Sequence, residues 1–245
     1  MVAIVYLEIL RLDIGGQKAI SLLVAFLWSV MCVASYGHVI NDIFDVHPDR
    51  LAGRSNSMRD IGWRKQLLLA AALLGCGYLP ALLADFSTLA LLTLSLNYLW
   101  PTIYSVPPFR LKEKGSLGVM CDALGSHVTP TLFALTLFAP LSPAAPLLYI
   151  VTVTLWAAAL GIKAILHHQV VDLDDDRRSG TVTLVTQLGE DRCRHFLTAF
   201  NLLVERPMSA ALVGLVFGFC PLAAVAFIGY GTAEAIKYRR RMRSA

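Results

Sequence analysis

From Ala19 to Ile40 the chain runs for 22 residues without a charged side chain. A helix of about 20 such residues spans the ~30 Å hydrocarbon core of a bilayer. Lipid offers no hydrogen-bond partners, so a chain built this way is restricted to helices or a closed barrel. The apolar segment extends over 18–45, and others follow at 66–84, 87–103, 117–139 and 146–168. They lack period-two alternation, which argues against a barrel. Charged residues make up 16% of the chain, against about 25% in a soluble domain, and the mean hydropathy is +0.62. The expected fold is all-α: a polytopic transmembrane helix bundle.

The breaks between segments carry the topology. Arg50, Arg54, Arg59, Arg64 and Lys65 occupy 49–65; Arg110, Lys112 and Lys114 occupy 104–116; and 169–194 is strongly charged. The intervening turns hold only Asp85 (85–87) or three prolines and no charge ("APLSPAAP", 139–146). The bias of basic residues toward cytoplasmic loops places 49–65, 104–116 and 169–194 on the cytoplasmic side. The expected location is the bacterial inner (plasma) membrane. Residues 1–12 are too short to span and carry no basic, cleavable leader pattern. Residues 195–236 are read as two short spans broken near Gly218–Pro221, in preference to a surface helix followed by one span from Pro207; this returns "KYRRRMR" to the cytoplasm. The five cysteines form no C-x-x-C pair and read as reduced thiols. A net charge of +4 is too small to imply a nucleic-acid partner.

The first long apolar segment ends in "NDIFDVHPD" (41–49). Asn41, Asp45 and Asp49 recur every four residues and share one helical stripe. Pro48 is expected to kink or end that helix, leaving Asp49 on the bend. Downstream, His168, Asp172 and Asp176 repeat the spacing in "HHQVVDLDDD", with Asp174 and Asp175 beside them and Ser179-Gly180 as a helix stop. Four spans separate the two stretches, so both face the same compartment. Either one alone reads as a solvated loop. Together they place carboxylates across a shared space, where they repel unless a cation lies between them. Oxygen ligands with room for water suit Mg²⁺, which completes its shell with phosphate oxygens. The expected ligand is a metal-bridged diphosphate. Arg50, Arg54, Arg110, Lys112 and Lys163 are candidates to neutralise its remaining charge. Lys163 stands out because it interrupts an apolar span, though it can also snorkel. His167 and His168 point about 100° apart and suit softer metals. The Glu205–Arg206 pair reads as structural.

These residues resemble the UbiA superfamily of intramembrane prenyltransferases, which includes 4-hydroxybenzoate polyprenyltransferase and chlorophyll synthase. "NDIFDVHPD" is similar to its N-D-x-x-D-x-x-x-D motif and "DLDDD" to its D-x-x-x-D motif. "YSVPPFRLKEKG" (104–115) looks like a Y-S-x-P-P-x-R-L-K loop of the chlorophyll synthase branch, and "DRRSGTVTLVTQLG" like the sequence after the second motif. The resemblance covers about residues 18 to 190. It implies a bundle of nine helices around a central cavity with the acidic motifs at its cytoplasmic mouth. It assigns Asn41, Asp45, Asp49, Asp172 and Asp176 to Mg²⁺ and diphosphate, with Asp45, Asp49, Asp172 and Asp176 as catalytic residues. Asp42, the motif's second letter, and Tyr104, Arg110 and Lys112 are assigned to diphosphate. Seven to eight spans are legible here, so residues 1–245 read as one such domain shortened at its N- and C-terminal helices. After the first motif, "GRSNSMRD" departs from the N-P-x-R-P pattern.

The expected chemistry is Mg²⁺-dependent transfer of an isoprenyl group from a prenyl diphosphate to a lipophilic acceptor, aromatic ones included, in the lipid. Metal and basic side chains stabilise the leaving diphosphate, and apolar walls keep water from the allylic cation. Trp100, Tyr104 and Trp156 are candidates to face that cation. The same architecture admits phosphoribosyl transfer to a polyprenyl phosphate or terpene cyclisation. A cation transporter is the non-enzymatic alternative, and it predicts acidic residues near mid-membrane.

Overall fold

The computed structural model describes residues 2–84, 86–138 and 146–243, the last without the side chains of 230 and 234–243. Its elements, in chain order, are α1 (Val2–Arg11), α2 (Gly16–Ala52), α3 (Trp63–Tyr78), α4 (Thr88–Ser105), α5 (Ser116–Ala123), α6 (Thr129–Leu137), α7 (Leu147–Val171), α8 (Leu173–Ser179), α9 (Leu184–Leu188), α10 (Glu190–Phe200), α11 (Arg206–Phe217) and α12 (Pro221–Arg243). No strand occurs among the described residues. A 3₁₀ turn, Leu79–Leu82, prolongs α3. Wide π turns join α5 to α6 (Leu124–Val128) and α10 to α11 (Asn201–Glu205). The described residues thus form seven long helical rods: α2, α3, α4, α5–α6, α7, α10–α11 and α12. Gly16–Ala52, Trp63–Leu82, Leu147–Val171 and Glu190–Phe217 are long and apolar enough to cross a membrane.

Prolines shape these rods. Each π turn lies just before a proline, Pro130 or Pro207. Proline has no N–H and its ring presses on the carbonyl four residues back, and the wider turn relieves that crowding. Pro80 likewise removes the usual donor to the Cys76 carbonyl, and the Trp28 indole N–H donates to it at 2.8 Å. Ser29 Oγ donates to the next carbonyl, Gly77, at 2.8 Å. The Cys76 carbonyl also accepts from the Leu79 N–H, and the two side-chain bonds fasten α2 to α3 where α3 tightens into the 3₁₀ turn.

The rods pack around two apolar clusters. The larger holds Phe26, Leu94, Phe133, Phe138 and Val153 among others, and α1 docks into it through Ile4, Val5 and Leu7. The smaller, with Ile165, Leu166, Leu173, Val185 and Leu197, lies beside the second acidic stretch. The outer surface is apolar as well: Leu68 is 70% exposed and Leu83 89%. That inversion would be costly in water and is neutral in lipid.

Four expectations meet the structure here. The helix carrying the first motif does not end at Pro48; it continues to Ala52 and stops at Gly53, whose φ of 74° is left-handed. The stripe expected over His168–Asp176 is divided, because α7 ends at Val171 and Asp172 opens α8. Ser179-Gly180 does stop α8, with Gly180 at φ 73°. The break between the last two rods falls at 218–220. The proline-rich turn at 139–146 and Asp85 lie outside the described residues, apart from Pro146, and the side chains of "KYRRRMR" lie outside them too.

Candidate active site

At the end of the bundle where α2 and α7 finish, the rods enclose a cavity of about 530 Å³, within the range of small-molecule sites. It has a polarity gradient. Val30, Val33, Ala34, Trp100 and Pro130 line its interior; Asn41, Asp45, Asp49, Arg54, Lys112, Asp172 and Asp176 line its mouth.

The first motif is held by the loop after α4. Lys112 Nζ donates to both carboxylate oxygens of Asp45 and to Asn41 Oδ1 at 3.0 Å. Burial pushes the Lys112 ammonium below its usual range, against the pull of Asp45. Arg110 Nη2 donates to Asp45 at 3.1 Å, and its Nε bonds Glu113 at 2.6 Å. Its Nη1 donates to the Phe44 carbonyl at 3.2 Å. That carbonyl lacks its helical donor because Pro48 stands four residues on. The proline inside the motif therefore builds an acceptor for Arg110, whose backbone is left-handed (φ 38°), an uncommon conformation outside glycine. Asn56 Nδ2 donates to Asp49 at 2.6 Å.

The second motif meets the first through one arginine. Arg54, two residues past α2, bonds Asp172 at 3.1 Å and Asp175 at 2.7 Å. Burial opposes the Arg54 charge, but the bond to Asp175 and the neighbouring carboxylates outweigh it and raise the guanidinium. Asp175, bonded by Arg54 and by Arg178, is held below the usual carboxylate range. Burial raises Asp176. His168 Nδ1 lies 3.2 Å from Asp172.

The structure brings Asn41, Asp45, Asp49, Arg54, Tyr104, Lys112, Asp172 and Asp176 onto one cavity, with Arg110 one contact away. Three sequence candidates lie elsewhere. Lys163 does not line the cavity; it pairs with Glu205 at 2.9 Å, because an ammonium within an apolar span needs a partner. Arg50 is exposed and does not line the cavity. Asp42 does not line the cavity, and its backbone carbonyl accepts from Asn56 at 2.9 Å. Of the aromatic candidates, Trp100 and Tyr104 line the cavity, whereas Trp156 bonds Ser209 at 3.1 Å and packs on Phe227. Sequence reasoning missed Asn56, Asp122 and Gln169. Asp122 carried a readable signal, an ionisable residue inside an apolar span. Asn56 and Gln169 carried none.

The motif donors are oxygens only, a set that fits a hard divalent cation. Among the described residues no three His, Cys, Asp or Glu side chains are close enough to hold a metal ion as they stand. Lys112, Arg110 and Arg54 instead lie against the carboxylates and relieve their repulsion. An anion-binding mouth with removable cationic partners, opening on an apolar interior, accommodates an amphiphile with a charged head and a hydrocarbon tail.

Fold and cavity thus define a polytopic α-helical membrane protein with an acid-lined pocket at one end of its bundle. The chain belongs to the UbiA prenyltransferase family, whose model matches residues 3–245. It is 26% identical over 226 residues to a lycopene elongase/hydratase of Haloferax volcanii, covering 89% of this chain and 70% of that protein. A protein of the same name from Halobacterium salinarum is 28% identical over 211 residues, covering 86% of this chain and 73% of the relative. A UbiA homolog from Archaeoglobus fulgidus bound to GPP and Mg²⁺ superposes with a TM-score of 0.69 at 18% identity, over 94% of this chain and 81% of that one. Its form bound to DMAPP and Mg²⁺ gives 0.68 at 19%. At that identity the likeness concerns the fold.

Proposed function

We propose that this chain transfers an isoprenyl group from a prenyl diphosphate to a lipophilic acceptor inside the membrane. The observation that carries the reading is Arg54, which joins the end of α2 to Asp172 and Asp175 and so closes both acidic stretches over one cavity. Asn41, Asp45, Asp49, Asp172 and Asp176 are the residues that would hold Mg²⁺. When bound, that ion would neutralise the diphosphate and stabilise the charge it acquires as the allylic C–O bond breaks. Lys112, Arg110 and Arg54 would turn from their carboxylates to the phosphate oxygens, and Tyr104 would contribute a hydroxyl from the cavity wall. The apolar interior binds the tail and excludes water, and the faces of Trp100 and Tyr104 favour the cation.

The bound ligands of the Archaeoglobus homolog support a short prenyl diphosphate as donor. The names of the two curated relatives support a long polyene as acceptor. Residues 1–245 act as one domain in the plasma membrane. The basic loops at 49–65 and 104–116 support a cytoplasmic motif face. Carboxylates gathered at one mouth, rather than at mid-membrane, disfavour the transporter reading.

The test is mass spectrometry of lipids from proteoliposomes given labelled dimethylallyl or geranyl diphosphate, Mg²⁺ and lycopene. Transfer should occur with the wild type and vanish with chelator, with Asp45→Ala and with Asp172→Ala, while each variant remains folded. Full turnover in either variant would remove the proposal.

A further inference from the structure

One carboxylate on the cavity belongs to neither motif. Asp122 lines it from α5, between Cys121 and Ala123, which are each 3% exposed. Those neighbours fix its position. Cys121 Sγ contacts the Trp100 carbonyl at 3.5 Å, and Ala123 lies against Gly161 of α7 so closely that a Cβ there would meet Ala123 at 2.8 Å. Asp122 is six residues along α5 from Ser116, a rise of about 9 Å at 1.5 Å per residue, in the helix that follows the loop carrying Lys112. Trp100 adjoins it, packed on Gly125 of the same face.

Asp122 has a hydroxyl partner where Asp45, Asp172 and Asp175 have cations. Ser126 Oγ donates to Asp122 Oδ2 at 3.3 Å, and the same Oγ lies 2.7 Å from His127 Nδ1. Carboxylates bound to a metal or to Lys112 are poor proton acceptors, because the cation favours their ionised form. Asp122, Ser126 and His127 form a chain that leads from the cavity into the protein.

Prenyl transfer to a C–H or O–H acceptor requires a group that takes a proton. The donor C–O bond breaks and its electron pair leaves with the diphosphate. An electron pair of the acceptor forms the new bond to the allylic carbon, and the acceptor must then lose a proton. The geometry points to Asp122 as the group that takes this proton; once protonated it donates to Ser126 Oγ, whose own hydrogen turns from Asp122 to the unprotonated Nδ1 of His127. Asp122 is then a catalytic residue that touches the acceptor, and Ser126 and His127 return it to its ionised form. This inference rests on the prenyl-transfer reading.

The test uses the full chain in liposomes with labelled dimethylallyl diphosphate, Mg²⁺ and lycopene. It reads transferred product, dimethylallyl alcohol formed by water quenching, and donor affinity. Asp122→Asn keeps the shape and removes the base. Transferred product should fall about a hundredfold, the alcohol-to-product ratio should rise, and donor affinity should stay within about twofold, a change of ~0.4 kcal/mol. Asp122→Glu should restore part of the transfer. Ser126→Ala, which retains the carboxylate but cuts the chain, should slow turnover at unchanged donor affinity, and it decides the matter if the Asn variant does not fold. Wild-type transfer in Asp122→Asn, or in Ser126→Ala where that variant decides, would overturn the inference while leaving prenyl transfer intact. So would a loss of donor affinity as large as the loss of product. Absence of Mg²⁺-dependent transfer in the wild type would remove the parent reading and this one with it.

Discussion

Lys112 shows how much of the site depends on a single side chain. It is 7% exposed and reaches Asp45 and Asn41 from a different part of the chain. Breaking a buried ion pair leaves the surviving charge without solvation, at about 3–5 kcal/mol; here Arg110 still serves Asp45 and reduces that loss. Lys112→Met should destabilise the metal-free protein by about 2 kcal/mol and weaken donor binding at least about tenfold. Thermal melts in detergent with chelator and a donor titration read the two effects. Adding Asp45→Asn to that variant should recover most of the stability and none of the binding, because neither partner is then left charged and unpaired. Unchanged donor affinity in Lys112→Met would confine the lysine to a structural role.

The elements owe their precision to small residues and prolines. Gly161 lets α7 approach α5 until a Cβ would lie 2.8 Å from Ala123 Cα and 3.0 Å from its carbonyl oxygen. Backbone is on the receiving side, so a larger residue must separate the helices. Gly161→Val should cost about 3 kcal/mol and displace Asp122, seen as a lower melting temperature together with lost transfer. Gly75→Ala, which meets nothing within 4 Å, should leave the melting temperature unchanged or slightly raised. A neutral Gly161→Val would mean that the two helices are not held at this distance. The length of the apolar runs marked these helices in the sequence and hid their interruptions. The turns before Pro130 and Pro207 stay helical by widening, so the apolar pattern continues through them. Pro48 was expected to kink or end α2; its freed Phe44 carbonyl is satisfied by Arg110 and the helix does not end there.

For the whole molecule, both acidic stretches lie at one end of the bundle. On a background lacking its five cysteines, single cysteines at Ser57 and Arg178 should react with a membrane-impermeant thiol reagent from the same side of sealed vesicles. Labelling from opposite sides would contradict the four intervening spans and the Arg54 bridge alike. The outer shell of exposed leucines predicts a further property: extraction with detergent, and not with salt or high pH, should release the protein from membranes.

Much was legible before any coordinates. Chain-long hydropathy specifies helices in lipid, because each apolar run must satisfy its backbone internally. Charge bias and an even number of spans set the two motifs on one side, and four-residue spacing put the carboxylates on shared faces. These are local or additive properties, and a linear string records them. What required the tertiary structure was partnership across the fold. Lys163 reads as a site cation in sequence and turns out to be bound to Glu205; Asn56 reads as a loop residue and holds Asp49; Asp122 reads as one polar interruption and stands on the cavity beside a serine and a histidine. Which charges meet depends on the rotation and separation of packed helices. Those follow from many weak contacts at once, and no spacing along the chain encodes them.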